Sequence, residues 1–380
     1  MTFAIQAQRI FDGDRLLEHH AVLIEDDRIV KVIPNGEIPA DIEIRQLVAG
    51  TLAPGFIDIQ VNGGGGVMLN NSPCRQTVDT MVAAHRATGT TSMMPTLISD
   101  TRDNQQAGIE AVRDARAHGN AGVLGIHIEG PFFNPAKRGT HKASMIRSPA
   151  AQDIDWLSSL ADLNVIVTLA PDQVQPGQIK QLANAGVHVC AGHTNASYEQ
   201  IMHAIAEGLQ GFTHVFNAMS PLVAREPGTV GAALDSDNTW VGVIADGHHV
   251  HPANIRIAQR MKPAGKLLLV TDAMATVGSE DSFFEIYGER IEELDGRLIN
   301  SEGSLAGSAI GMIDGVRFMN SSVGLPLEEC LRMAALYPAV FLELDHELGR
   351  IASGYRADFV HFDEDFRVRN TWVAGAQQTH

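Results

Sequence analysis

Eight short runs of apolar, largely β-branched residues recur through the middle of this sequence, at 56–61, 91–97, 123–128, 165–169, 187–191, 212–216, 240–245 and 267–271. Longer stretches with helical spacing, such as 79–88 and 198–207, separate them. Strands that are apolar on both faces are needed when a sheet is covered on both sides, and intervening helices provide that cover. Eight units of this kind predict an α/β fold, a closed (β/α)8 TIM barrel, with an open doubly wound sheet as the alternative. The flanks alternate with period two instead. The runs 21–24 and 28–33 around Asp26-Asp27 read as a hairpin, and 358–362 and 368–374 read as strands. Because chain ends commonly lie close together, residues 1–50 and 349–380 are expected to form one small β-sandwich domain, leaving 51–348 as the barrel. The strand-like stretch 276–304 predicts a β-hairpin inserted after the eighth strand.

Polar residues choose between the two architectures, since barrel enzymes place their chemistry at the C-terminal ends of strands. The first run ends Gln60-Val61-Asn62, the third His127-Ile128-Glu129, and the fifth is followed by Gly192-His193-Thr194. The sixth carries His214 and Asn217, the seventh ends Asp246-Gly247-His248-His249, and the eighth ends Thr271-Asp272. Taken singly, each has a plain structural reading as a hydrogen-bonded loop residue or, for Asp272, a helix cap. Together, Glu129, His193 and His214 match the two-nitrogen, one-oxygen set of a catalytic zinc site with an open position, and the same set holds Fe2+, Co2+ or Mn2+.

Charge narrows the partners. Lys plus Arg number 28 against 45 Asp plus Glu, a formal net charge of −17, which argues against a chain that coats nucleic acid or an anionic membrane. An anionic substrate would have to be gripped by local cations. Cys74, Cys190 and Cys330 are widely spaced with no CxxC, the first residues lack a secretory pattern, and no run approaches the roughly 20 apolar residues of a membrane span. A cytoplasmic protein is expected.

Several phrases extend this reading. Pro54-Gly55-Phe56-Ile57-Asp58, His127-Ile128-Glu129-Gly130-Pro131-Phe132, Gly192-His193-Thr194-Asn195-Ala196 and Thr213-His214-Val215-Phe216-Asn217-Ala218-Met219 are joined by Arg225-Glu226-Pro227-Gly228, Ala245-Asp246-Gly247-His248-His249 and Val270-Thr271-Asp272-Ala273. With these the chain resembles, end to end, the N-acetylglucosamine-6-phosphate deacetylase family of the amidohydrolase superfamily. Much of that superfamily has a His-x-His pair after the first strand and a lysine ending the fourth. Here Gln60-Val61-Asn62 and Ala170-Pro171 stand in those places. The resemblance implies one divalent metal per subunit on Glu129, His193 and His214, with Asp272 as general base and acid. It further implies His141 beside the acetamide carbonyl or a sugar hydroxyl, and Gln60, Asn217, Ala218, Arg225 and His249 around a sugar phosphate. Family members complete the phosphate site across a homodimer interface, so a homodimer is expected. The implied reaction is removal of the acetyl group from N-acetylglucosamine 6-phosphate in amino-sugar catabolism. The competing readings are another amide hydrolase, disfavoured by the missing His-x-His and lysine, and a silent sugar-phosphate sensor, disfavoured by the intact Glu129, His193, His214 and Asp272.

Overall fold

The computed structural model describes residues 2–380. Each apolar run becomes a parallel strand, and consecutive strands are neighbours in one eight-stranded sheet. They are β1 (Phe56–Val61), β2 (Thr90–Ile98), β3 (Gly125–Glu129), β4 (Asn164–Leu169), β5 (His188–Ala191), β6 (Gly211–Phe212), β7 (Trp240–Ile244) and β8 (Leu267–Val270). β2 is buried at every position, as a strand covered on both faces must be. The barrel closes just beyond β8, where the Asp272 N–H donates to Gln60 O at 3.0 Å and the Asn62 N–H to Ala273 O at 2.9 Å. The covering helices carry local start and stop signals. Ser197 and Gln200 form a capping box at the start of Tyr198–Glu207, and Gly208 ends that helix in the left-handed region at φ 113°.

β6 is shorter than the run 212–216 suggests. Val215 and Phe216 extend the run beyond Thr213-His214, but the chain turns directly after Phe212, with His214 and Phe216 at positive φ of 35° and 80°.

The stretch expected to form one hairpin instead makes four antiparallel strands, β9 (Phe283–Ile286), β10 (Glu289–Leu294), β11 (Arg297–Ile299) and β12 (Leu305–Ser308). Turn chemistry is the reason. Tyr287-Gly288 and Asp295-Gly296 each place two successive residues at positive φ, the geometry of a tight two-residue turn, so the chain reverses more than once. β12 then returns to the barrel, where the Ser308 N–H donates to Asp272 O at 2.9 Å and the Met274 N–H to Ser308 O at 3.0 Å.

The sequence ends build two more sheets. One is four-stranded, with Thr2–Gln6 between His20–Glu25 and Glu43–Gln46 and with Arg28–Pro34 at its edge. The other is six-stranded and interleaves both ends, with Thr51–Pro54 parallel to Arg9–Phe11 and antiparallel to Phe359–Phe362. Residues 51–54 thus lie in this sheet and not in the barrel. Gly55 carries the chain directly from one to the other, and a Cβ there would stand 2.1 Å from Thr91 Oγ1. Ile5 and Val22 from the first sheet pack with Ile10, Leu52, Phe359 and Trp372 from the second, which makes the pair a β-sandwich. Among the described residues no helix is long and apolar enough to cross a membrane.

Candidate active site and metal centre

The barrel brings Glu129, His193 and His214 together at the C-terminal ends of β3, β5 and β6, all buried. His214 Nε2 lies 3.1 Å and His193 Nε2 3.4 Å from Glu129 Oε1, and the two Nε2 atoms are 3.0 Å apart. One ligand atom from each residue falls within 4.8 Å of the others. His193 Nδ1 is 2.9 Å from the Lys137 carbonyl, which can only accept. The ring proton is therefore on Nδ1, and the Nε2 lone pair faces its two neighbours. A cluster of acceptor atoms pointed at one another in a buried space fits a divalent cation.

The backbone here is strained. His193, His214, Ala218 and Asp272 have φ of 49°, 35°, 51° and 53°, a region that residues other than glycine seldom adopt. At Asp272 the strain is held from both sides. Ser308 Oγ donates to Thr271 O at 2.6 Å, and the buried Asp58 carboxylate accepts from the Thr271 hydroxyl at 2.5 Å and from the Gln60 N–H at 3.2 Å.

Gln60 and Asn62 act on the carboxylates. The Gln60 Nε2 group donates to both Glu129 oxygens and to Asp272 Oδ1, each at 3.1 Å, while Asn62 Nδ2 donates to Asp272 Oδ1 at 2.7 Å. Among the described residues both bonds to Asp272 fall on Oδ1, and Asp272 Oδ2 has no hydrogen-bond partner. Burial, reinforced by the Glu129 carboxylate, pushes the Asp272 carboxyl up to about 6.

His141 reaches the same cleft from the loop after β3, its ring 4.4 Å from that of His193 and edge-on to Phe133 at 4.8 Å. Burial, with His193 beside it, holds it well below the usual histidine range, so it is neutral. On the opposite rim, His249 Nδ1 meets Asp246 Oδ2 at 2.6 Å. Asn217 is anchored by Nδ2 to His214 O at 3.2 Å, and the Ala218 N–H has no partner among the described residues. Glu129, His141, His193, His214, Asn217, Ala218, His249 and Asp272 all line one cleft of about 160 Å³, whereas Gln60 and Asn62 are outside its lining.

Arg225 stands apart. It lies on the exposed loop 221–226, outside the cleft lining, and makes no ion pair with Glu226, whose carboxylate instead accepts from the Tyr198 and Gly228 N–H groups. The cleft also has apolar walls that the sequence reading missed, Ile98, Met274 and Leu305. Apolar residues in a β-rich stretch look like core. The one available signal was the inserted segment itself, whose last strand supplies Leu305 and Gly307.

A barrel with a carboxylate and two imidazoles converging at its mouth defines a class of metal-dependent hydrolases, and comparison with known proteins agrees. Residues 51–377 match the model of the amidohydrolase family, and residues 2–51 match the NagA composite domain. An N-acetylgalactosamine-6-phosphate deacetylase of Shewanella sp. (strain ANA-3) is 42% identical over 97% of this chain and 93% of its own length. An N-acetylglucosamine-6-phosphate deacetylase of Haemophilus influenzae is 34% identical over 99% of each chain. The crystal structure of N-acetylglucosamine-6-phosphate deacetylase from Pasteurella multocida superposes with a TM-score of 0.96 at 35% identity, covering all of both chains. The chain belongs to the amidohydrolase family and, within it, to the N-acetylglucosamine-6-phosphate deacetylases and their close relatives.

Proposed function

We propose that this enzyme hydrolyses the acetamide of N-acetylglucosamine 6-phosphate at the barrel mouth, giving glucosamine 6-phosphate and acetate in amino-sugar breakdown. The convergence of Glu129, His193 and His214 beside a buried Asp272 carries this reading. A cation held by that set would supply Lewis acidity toward water and the acetamide carbonyl, and Zn2+ suits two nitrogens and one oxygen, with Fe2+, Co2+ and Mn2+ as alternatives. Asp272 accepts the proton lost by the attacking water and returns it to the departing nitrogen. A carboxyl near 6 suits both steps, being ionised at neutral pH yet more basic than an ordinary aspartate. Gln60 and Asn62 hold its Oδ1, which leaves Oδ2 for the water. The Gln60 amide donates to both Glu129 and Asp272 and so holds the two carboxylates with a neutral group, and one ion per chain is expected.

His141 donates to the carbonyl oxygen as negative charge develops there. Asn217, the Ala218 N–H, His249 and Arg225 receive the sugar phosphate, with Arg225 supplying a directed, charge-assisted contact. Arg225 shares its loop with Leu222 and Val223, 59% and 53% exposed. A second copy covering this loop would bury the apolar pair and complete the phosphate site, so we read the protein as a homodimer. The acidic charge and three free cysteines favour the cytoplasm. The chain divides into a sandwich, 1–50 with 349–380, and a barrel, 51–348, apart from the strand 51–54.

A second substrate, N-acetylgalactosamine 6-phosphate, is favoured by one observation, the 42% identity to the Shewanella enzyme of that name. The test is acetate release from both phosphorylated sugars and from free N-acetylglucosamine, before and after chelation and with metal restored. Metal-dependent release that favours a phosphorylated sugar is expected. No release from any of the three, by protein that contains metal, overturns the reading.

A further inference from the structure

The two tight turns of the inserted sheet share a backbone geometry but not a sequence logic. Asp295-Gly296 begins with a residue that tolerates positive φ, whereas Tyr287-Gly288 sets a bulky aromatic at φ 56° in the same position. The side chain supplies the reason. Tyr287 is half-buried, and its hydroxyl donates to the carbonyl of Ser99, the residue directly after β2.

Ser99 is fully buried, and both of its donors meet the same imidazole nitrogen. Its N–H donates to His141 Nδ1 at 3.2 Å, and its Oγ lies 2.8 Å from that atom. A backbone N–H can only donate, so Nδ1 is the acceptor and the ring proton is on Nε2. Nε2 is the ring nitrogen without a hydrogen-bond partner among the described residues, on a histidine that lines the cleft. The position of Ser99 is narrowly defined, since even a Cβ on Gly130 would come within 2.4 Å of its Oγ. Three separate elements therefore meet at one residue, Ser99: the inserted sheet, the end of β2, and the loop after β3.

We propose that Tyr287 is a positioning residue for His141, acting through Ser99, so that the inserted sheet braces the imidazole in its Nε2–H form. The proposal rests on the reading of His141 as the donor to the substrate carbonyl. Tyr287 itself is not part of the cleft lining. It acts by removing freedom from the group that is.

Tyr287→Phe keeps the ring and the turn and removes only the hydroxyl. We expect kcat to fall about tenfold with KM within about twofold, the signature of a lost transition-state contact and not of lost substrate binding. In a His141→Asn background the same change should cost nothing further, because the group being positioned is gone. Equal losses in the two backgrounds, or a rise in KM alone, overturn the proposal. A readout independent of turnover is the two-bond 1H–15N correlation spectrum of the zinc-loaded protein, with the His141 signals identified by their absence in His141→Asn. The wild type should show one sharp Nε2–H pattern that shifts or doubles in Tyr287→Phe. An Nδ1–H pattern, or an identical spectrum in the variant, overturns the brace. An Nε2–H pattern that responds to Tyr287→Phe, in protein that releases no acetate, supports the brace and counts against the substrate assignment instead.

Discussion

In the small sandwich the positive-φ residues Asp26, Phe366 and Ala374 sit in turns between strands, whereas at the barrel mouth His193, His214 and Asp272 are themselves the groups that face the cleft. The sandwich uses strain to reverse the chain and then fills its interior with apolar contacts, such as Phe359 against Trp372 at 6.1 Å. The mouth accepts strain in its working residues and holds them with buried polar bonds from Gln60, Asn62, Asp58 and Ser308. One region is therefore stable by packing. The other is accurate by hydrogen bonding, and each should fail in its own way.

The sharpest separation comes from Asp272→Asn, which is nearly isosteric. Turnover should fall about 10²- to 10⁴-fold while metal content and melting temperature stay near wild type. Near-normal turnover would remove Asp272 from the proton transfers. The converse change is Trp372→Ala in the sandwich, which should cost about 3–5 kcal/mol of stability by denaturant unfolding, with kcat of the folded fraction unchanged. A parallel drop in kcat would mean that the two regions are coupled and the contrast is false. Arg225→Ala tests the rim. KM for the phosphorylated sugar should rise about 10- to 100-fold, and for the free sugar hardly at all. An equal rise for both would exclude a phosphate role.

The smallest expected effect concerns Asp58, a buried carboxyl on the floor beneath the mouth. Burial, partly offset by the donors of Thr271 and Gln60, pushes it from an ordinary 3.8 up to about 7. The folded chain therefore keeps this proton across a range in which the unfolded chain has lost it. Its contribution to stability is full below the unfolded value and declines as pH rises toward 7. Asp58→Asn should flatten that part of the pH–stability curve. An unchanged slope would show that the hydrogen bonds, and not burial, govern this carboxyl.

Much of the barrel was legible because parallel strands covered on both faces leave a distinctive apolar run. Eight runs became eight strands, with disagreement confined mainly to β6, where Val215 and Phe216 prolong the run in sequence although the chain already turns at His214. Glu129, His193, His214 and Asp272 were legible because charged and imidazole groups at strand ends have few structural uses in such numbers. The inserted sheet was half legible. Asp295-Gly296 is a turn signal that any reader of sequence would accept, but Tyr287-Gly288 is not, because its conformation is imposed by a hydroxyl bond to a residue nearly two hundred positions away. Ser99, Ile98, Met274 and Leu305 were invisible for a related reason. Their importance lies in where the fold puts them.

The strand 51–54 pairs with 359–362, partners more than three hundred residues apart in sequence. During synthesis the barrel can gather its strands in order, each beside the one before, but the sandwich must wait until residues 359–362 have emerged. Until then Leu52 lacks the cover of Phe359 and Trp372, and its strand presents an open edge that any other extended chain could join. For this protein, making the strands of the barrel is therefore not the whole of folding: one edge of the sandwich stays open for as long as some three hundred residues take to follow it.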